Sequence, residues 1–132
     1  MSRYLIDTDI CVSFLRGAQG VRERFRDVGY DRCSISQITL AELLFGVHRS
    51  ADPGKNRKKL DVFLIDIGVV PISHDTVEVF AKEKARLTAL GIPVADFDLF
   101  IGATAIDQGM TLVTNNTRHF SRLQNIKLET WI

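Results

Sequence analysis

Cysteine and long apolar runs are scarce in this sequence of 132 residues. Cys11 and Cys33 are its two cysteines, and they form no Cys-x-x-Cys or cysteine–histidine pattern. We therefore interpret them as reduced core residues of a cytoplasmic protein. No apolar run approaches the roughly 20 residues that cross a bilayer. Because the first predicted strand begins almost at once, we also expect no signal peptide.

The sequence also lacks a strong net charge, a histidine metal-ligand pattern and the motif of serine hydrolases. The 17 Lys and Arg residues nearly balance the 16 Asp and Glu residues, so the net charge is +1. This balance provides no global attraction to nucleic acid, and any basic contact surface must be local. The histidines His48, His74 and His119 share no ligand spacing, so we interpret them as structural or surface groups. No serine stands in a nucleophile-elbow motif, which leaves serine catalysis without support.

Apolar and polar stretches instead alternate in a way that predicts strands and helices in turn. A hydrophobic fraction of 45% and a charged fraction of 25% are ordinary for a globular protein. Residues 1–132 are expected to form a single α/β domain with a mostly parallel sheet of four to five strands and helices on both faces. The predicted strands are residues 3–6, 33–36, 69–72, 111–114 and 127–132. Helices are predicted after Asp7, over 38–47, 75–90 and 98–108, and at the apolar stripes of 21–28 and 60–67, with a loop at 50–56; Gly29 and Gly109 are expected to end helices. Because 38–47 is apolar almost all round, we expect that helix to be buried. Asp75 with Glu78 resembles a capping box at the start of the helix over 75–90.

Three acidic residues interrupt or border apolar runs. Asp7 closes the run at 4–6, Glu42 stands inside 38–45, and Asp98 opens 99–103. Carboxylates are seldom buried unless they are paired or bound to a metal, and these runs contain no lysine or arginine. Carboxylate oxygens without histidine or cysteine suit Mg²⁺ or Mn²⁺, so one cation shared by the three acids is the prediction.

The expected fold explains why these acids should meet. In open α/β sheets the working residues follow the carboxyl ends of the strands, where Asp7 and Asn116 stand. Asp98 lies in the first turn of its helix, where the helix dipole favours an anion. Gly102, four residues further on, would let a metal and a phosphate approach closely. We expect Asp7 and Asp98 to bind the ion directly, with Glu42 binding through water or helping to deprotonate the nucleophile.

Each acid also has a purely structural interpretation. Asp7 could simply cap the helix that begins near Asp9. Residues 39–42 match a capping box, in which Glu42 would reach back to the start of its own helix. Asp96 and Asp98 compete for one N-cap, so at least one of them is available for another role.

A basic cluster near the middle of the chain is a candidate RNA contact. It would hold phosphates electrostatically, or it could simply be the solvated face of a helix. The residues are Arg49, Lys55, Arg57, Lys58 and Lys59.

Four segments together resemble the PIN-domain ribonucleases, specifically the VapC toxins of type II toxin–antitoxin systems. The segments are residues 5–10, 38–43, 95–103 and 112–120. The resemblance implies a three-layer α/β/α fold and an Mg²⁺- or Mn²⁺-dependent endoribonuclease. It also implies a homodimer, an inhibitory antitoxin partner, and RNA substrates such as the initiator tRNA anticodon stem-loop. The acidic centre would be Asp7, Glu42 and Asp98, supported by Asp9, Asp96, Thr114 and Asn116.

The fourth segment departs from the family pattern. Many relatives carry an additional acid near Asn116 or at the position of His119, and this chain has neither. Asn116 can orient a water through its amide but brings no charge, which predicts a weaker second metal site.

Two other functions remain open from the sequence. A haloacid-dehalogenase-like phosphatase would use Asp7 as nucleophile and Asp9 as acid/base. A non-catalytic module would bind RNA or protein without cleaving it.

Overall fold

The computed structural model describes residues 2–131, and a five-stranded sheet forms its centre. All strands are parallel and stand in the order β3-β2-β1-β4-β5. The predicted α/β fold with four to five mostly parallel strands is confirmed. In chain order the strands are β1 (Tyr4–Ile6), β2 (Cys33–Ser36), β3 (Gly68–Val70), β4 (Thr111–Val113) and β5 (Lys127–Glu129).

Helices connect the strands, as parallel pairing requires. A short 3₁₀ turn at Tyr30–Arg32 precedes β2. No helix among residues 2–131 combines the length and apolar character that a membrane crossing would need. The helices are α1 (Thr8–Leu15), α2 (Gln19–Val28), α3 (Gln37–Arg49), α4 (Pro53–Asp66), α5 (His74–Ala89), α6 (Asp96–Gln108) and α7 (Thr117–Phe120).

The two faces of the sheet carry separate parts of the core. Alternate residues of a strand point to opposite faces, so Ile6 and Leu5 belong to different clusters. The Ile6 cluster includes residues of α1 to α4, and the Leu5 cluster includes residues of α6 and α7. A third cluster joins α5 to α6 through Leu87 and Leu99. The result is a three-layer α/β/α arrangement.

The strand order reverses next to β1. The chain builds β2 and β3 on one side of β1 and returns to place β4 on the other side. Connections on the two sides diverge at such a point and leave a crevice beyond the carboxyl ends of the strands. Ile6 is in register with Val113, so the residues that follow β1 and β4 emerge side by side at this crevice.

Several local expectations need correction. The helix α3 is not buried all round, because Phe45 is 63% exposed. The helix α4 begins inside the predicted 50–56 loop, since the Asp52 side chain caps the amide of Lys55 and proline suits the first helical position. The predicted capping residue Asp75 does not cap α5, because Ser73 accepts the amide of Thr76. The strand expected at 127–132 ends at Glu129, and Ile132 lies outside the described residues.

Candidate active site

Asp7 lies where β1 ends and α1 begins. Its Oδ1 accepts the amide of Thr8 at 2.8 Å, so the helix-capping interpretation is confirmed. Its Oδ2 accepts the Thr114 hydroxyl at 2.7 Å, which ties the end of β1 to the end of β4. The residue is 6% exposed. Capping is therefore only part of its environment.

The charge of Asp7 is poorly compensated. Burial, together with the charges of Asp9 and Asp98, raises the pKa of Asp7 from 3.8 to about 7, although bonds from Thr114 and Thr8 oppose this rise. No cationic side chain is among the groups that set this pKa. A divalent cation would supply the missing positive charge.

Asp9 and Thr114 organise the loop that follows β4. Asp9 accepts the amide of Ile10 at 2.7 Å and the amide of Asn115 at 3.0 Å, one with each carboxylate oxygen. The Thr114 hydroxyl accepts the amide of Asn116 at 3.0 Å. The exposed Asn116 thus enters this network through its backbone. A carboxylate that holds two backbone amides fits a positioning role better than the acid/base role of the phosphatase alternative.

Glu42 is joined to Asp7 through a single residue. The Thr8 hydroxyl donates to Glu42 Oε1 at 2.7 Å, while the Thr8 amide donates to Asp7. The capping-box interpretation of Glu42 is wrong, because α3 begins earlier and Ser36 accepts the amide of Thr39 at 3.0 Å. Glu42 also lines a cavity of about 330 Å³ beside Gly46, whose missing side chain leaves open space.

The two acids at the start of α6 have different surroundings. Neither caps the helix, since the N-cap residue Ala95 makes no side-chain bond. Asp96 forms an exposed ion pair with Lys84 at 3.0 Å. Asp98 lies 3.4 Å from the Nε2 atom of His119, with side-chain exposures of 35% and 23%. Of the two acids, only Asp98 therefore lies beside a residue of the segment that follows β4.

Gly102 serves the packing of α6. A Cβ atom there would overlap with the side chain of Leu123 and come within 3.5 Å of Phe120. The expectation that Gly102 makes room for a metal and a phosphate is therefore corrected, because the space beside this glycine is filled by core side chains. This glycine lets the segment that carries α7 pack directly on α6.

The donor chemistry fits a hard divalent ion. The oxygens of Asp7, Glu42 and Asp98 belong to the class that Mg²⁺ and Mn²⁺ prefer, and burial leaves Asp7 in need of a counter-charge. Among residues 2–131, no three His, Cys, Asp or Glu side chains form a ready-made cage. One cation shared by all three acids stays a prediction.

The basic cluster lies mainly on the exposed side of α4. Lys55, Lys58 and Lys59 line a groove of about 700 Å³ whose other residues include Arg16 and Phe14. Lys59 also lines the cavity that contains Glu42. Arg57 forms an exposed ion pair with Asp61 at 3.1 Å, and Arg49 is exposed at the end of α3.

Sequence reasoning missed two residues of this site. Thr8 carries little signal by itself because threonine is common at the start of a helix, although its position directly after Asp7 points to it. His119 shares no ligand spacing with another residue, so the local sequence favours a structural or surface role. Its position just after β4, at the edge where Asp7 was expected, could have marked it.

Comparison with known proteins identifies the family. The PIN domain profile matches residues 4–126. The tRNA(fMet)-specific endonuclease VapC of Shigella flexneri is 33% identical over 132 residues, which cover 99% of each chain. Ribonuclease VapC2 of Rickettsia felis is 32% identical, with 97% of each chain covered.

Two solved structures agree with the sequence comparison. The DNA-bound VapBC of Salmonella typhimurium contains a chain that superposes with a TM-score of 0.94 at 31% identity, with complete coverage of both chains. The VapBC2 structure of Rickettsia felis, bound to a promoter DNA fragment, gives a TM-score of 0.92 at 31% identity and 98% coverage. The chain therefore belongs to the PIN-domain family, in its VapC ribonuclease group.

Proposed function

We propose that this protein is a divalent-metal-dependent endoribonuclease and the toxin of a type II toxin–antitoxin pair. The observation that carries the proposal is the buried carboxylate of Asp7. Its pKa is raised to about 7 beside Asp9 and Asp98, and no cationic side chain offsets that rise. The names of its relatives, endonuclease and ribonuclease, agree with this chemistry. A phosphodiester is the substrate class that an acidic metal site of this kind serves.

We assign the roles of metal ligands and catalytic residues to Asp7, Glu42 and Asp98, with Mg²⁺ or Mn²⁺ as the ion. When bound, the ion would polarise the scissile phosphate and lower the pKa of a water. The Thr8 hydroxyl donates to the carboxylate of Glu42 and the Thr8 amide donates to Asp7, so Thr8 orients two of the three acids. Thr114 and Asp9 support Asp7 and the loop after β4. Asn116 supports that loop as well, and Asp96 is the weakest member of the proposed set because it pairs with Lys84.

For the substrate we propose tRNA, with the initiator anticodon stem-loop as the first candidate. One relative is named as specific for tRNA(fMet) and is one-third identical over nearly its full length. Arg49, Lys55, Arg57, Lys58 and Lys59 would contact the phosphates. Lys59 is the strongest of these candidates, because it lines the same cavity as Glu42.

The partners and location follow from the same assignment. We propose an antitoxin as inhibitory partner, since two structural relatives above 30% identity are VapBC assemblies. We also propose a homodimer in which each chain acts as one domain of residues 1–132. A cytoplasmic location agrees with an RNA substrate and with two buried, unpaired cysteines.

The test is cleavage of initiator tRNA by the purified protein with Mn²⁺ or Mg²⁺, compared with an elongator tRNA and with EDTA. Asp98→Asn should reduce the rate at least about 100-fold, the scale for losing one charge-stabilising group. Asp75→Asn, an exposed acid in the first turn of α5, is the matched control and should cleave normally. The products should be mapped on denaturing gels.

Three outcomes would contradict the proposal. RNA binding without cleavage by the wild type would favour the non-catalytic binding module. Cleavage that persists in EDTA would remove the metal from the mechanism. Equal activity of Asp98→Asn and Asp75→Asn would remove Asp98 from the site.

A further inference from the structure

His119 presents an unsatisfied nitrogen to the candidate active site. It lies on α7, three residues after Asn116. Its Nε2 atom is buried and, within the described part of the chain, has no hydrogen-bond partner. The same atom is 3.4 Å from Asp98 Oδ2, without the geometry of a hydrogen bond. A buried polar atom of this kind carries a free-energy cost and calls for an explanation.

The position of the His119 ring is set by core packing. The next residue, Phe120, is fully buried in the cluster that covers one face of the sheet. Gly102 allows Phe120 and Leu123 to pack directly on α6, the helix that carries Asp98. The approach of His119 to Asp98 therefore follows from the contact between the two helices and does not depend on a bond between these side chains.

Two donor atoms at this separation can bind one ion. Adjacent ligands at about 2.1 Å from a metal lie roughly 3 Å apart in an octahedral site. The 3.4 Å between Nε2 and Oδ2 is close to that value. Among first-row transition ions Mn²⁺ binds nitrogen donors most weakly, and both Mn²⁺ and Mg²⁺ accept oxygen ligands, but Mg²⁺ is the harder ion and gains less from an imidazole nitrogen. A nitrogen donor beside Asp98 would therefore change which ion the site favours.

We propose that His119 is a metal-ligating residue that, with Asp98, makes this site favour Mn²⁺ over Mg²⁺. This inference rests on the proposed metal-dependent function and assigns to it a ligand and an ion preference. An acid at position 119 would bring oxygen and negative charge to the same place and would favour Mg²⁺.

The test is electron paramagnetic resonance of Mn²⁺ bound to the full chain. Modulation from a directly bound ¹⁴N nucleus should appear in the echo decay of the wild type and disappear in His119→Gln. His48→Gln, which changes an exposed histidine of α3, is the matched control and should keep the modulation. A second variant, His119→Glu, retains a ligand while removing the nitrogen, so it also lacks the modulation.

Binding affinities provide the second readout. They are measured from the paramagnetic resonance signal of unbound Mn²⁺ in titrations, with Mg²⁺ added as the competitor. His119→Gln should weaken Mn²⁺ binding about 10-fold. This is the lower end of the loss of affinity seen when residues that support a metal ligand are replaced. The same variant should weaken Mg²⁺ binding less than about twofold, and His119→Glu should lower the Mn²⁺-to-Mg²⁺ preference relative to the wild type.

The failure of this inference is distinguishable from the failure of the proposed function. Mn²⁺ that binds and supports RNA cleavage, but shows no ¹⁴N modulation, overturns the role of His119 alone. Equal weakening of both ions in His119→Gln also overturns it and makes His119 a positioning residue for Asp98. Wild-type protein that binds no Mn²⁺ overturns both proposals.

Discussion

Asp7 and Glu83 are two carboxylates buried to nearly the same degree, at 6% and 7% exposure, in different surroundings. Glu83 accepts two bonds from the Arg86 guanidinium, at 2.8 and 2.9 Å, and one from the amide of Gln124. These bonds lower its pKa, with Arg86 as the largest cause. Asp7 accepts one hydroxyl and one amide, and its pKa is raised to about 7.

The difference between these two carboxylates teaches that burial alone does not identify a functional acid. Arg86, on the same helix α5, supplies the counter-charge of Glu83. Arg86 also donates a hydrogen bond to the carbonyl of Arg122, so the ion pair joins α5 to the segment after α7. Asp7 lacks such a partner and lies at the crevice where the strand order reverses. A buried acid without a cation at such a crevice is a candidate for binding one from solution.

The largest expected effect is the loss of cleavage in Asp7→Asn. The amide keeps the shape of the side chain but removes the charge that would hold the ion, so the rate should fall about 10³-fold. Glu83→Gln should cleave within about threefold of the wild type, because it touches only the structural pair. Single-turnover cleavage below the unfolding temperature measures both. Similar losses in the two variants would remove the distinction between these carboxylates.

The pH dependence of stability should have opposite signs for the two acids in metal-free protein. The pKa of Asp7 is raised from 3.8 to about 7, so its stabilising contribution is complete below about pH 4 and lost as the pH rises through 7. The pKa of Glu83 is lowered from 4.5, so its contribution is present above that pH and lost on acidification.

Urea unfolding in EDTA from pH 4 to pH 8 measures these contributions. Relative to the wild type, Asp7→Asn should gain stability as the pH rises, by at most about 4 kcal/mol. Glu83→Gln should lose about 2 kcal/mol at pH 7, and this loss should shrink towards pH 4. Added Mn²⁺ should stabilise the wild type and leave Asp7→Asn nearly unchanged. If the stability of Asp7→Asn had the same pH dependence as that of the wild type, the idea that the charge of Asp7 is uncompensated in the folded protein would be wrong.

A smaller effect is expected when the link between Asp7 and Glu42 is cut. Thr8→Val removes the hydroxyl that donates to Glu42 and keeps the amide that donates to Asp7. Cleavage should fall about 10-fold, and stability by about 1 kcal/mol, for one lost hydrogen bond. Thr8→Ser restores the hydroxyl and should recover most of the rate. Failure of serine to restore activity would assign the loss to packing.

The smallest effect is expected for Asp96→Asn. Its ion pair with Lys84 is exposed, so stability should change by less than about 0.5 kcal/mol. Cleavage should change less than about twofold, in contrast to Asp98→Asn on the same helix turn. Gel-based rates and thermal unfolding of both variants make the comparison. A large loss of cleavage in Asp96→Asn would show that this residue contributes to the acidic centre despite its ion pair with Lys84.

Much of the fold could be predicted because strands and helices follow from local apolar patterns. The strand at 33–36 was predicted with its observed ends, and Gly29 and Gly109 end helices as expected, each of them at a positive φ. Helix starts were less predictable. Ser73 and Asp75 are both good capping residues on sequence grounds, and the choice depends on where the preceding chain leaves the sheet.

The candidate site was predictable only as a set of acids. Asp7, Glu42 and Asp98 stood out because each lies in an apolar run. The hydroxyl of Thr8, which joins two of them, and the nitrogen of His119 did not stand out, because their roles depend on contacts with residues that are distant in the sequence. The expectation that α3 is buried all round also failed, since a helix apolar on every side can leave Phe45 exposed.

The sequence by itself determined the alternation of strands and helices, the parallel sheet that this alternation implies, and the positions of the acids along it. These features depend on periodicity and on the direction of the chain, which are written in neighbouring residues. Only the tertiary structure decided which acids have a counter-charge. The pairing of Asp96 with Lys84 and the approach of His119 to Asp98 depend on how α5 and α7 pack on α6, and distances between separate helices are not encoded in local pattern.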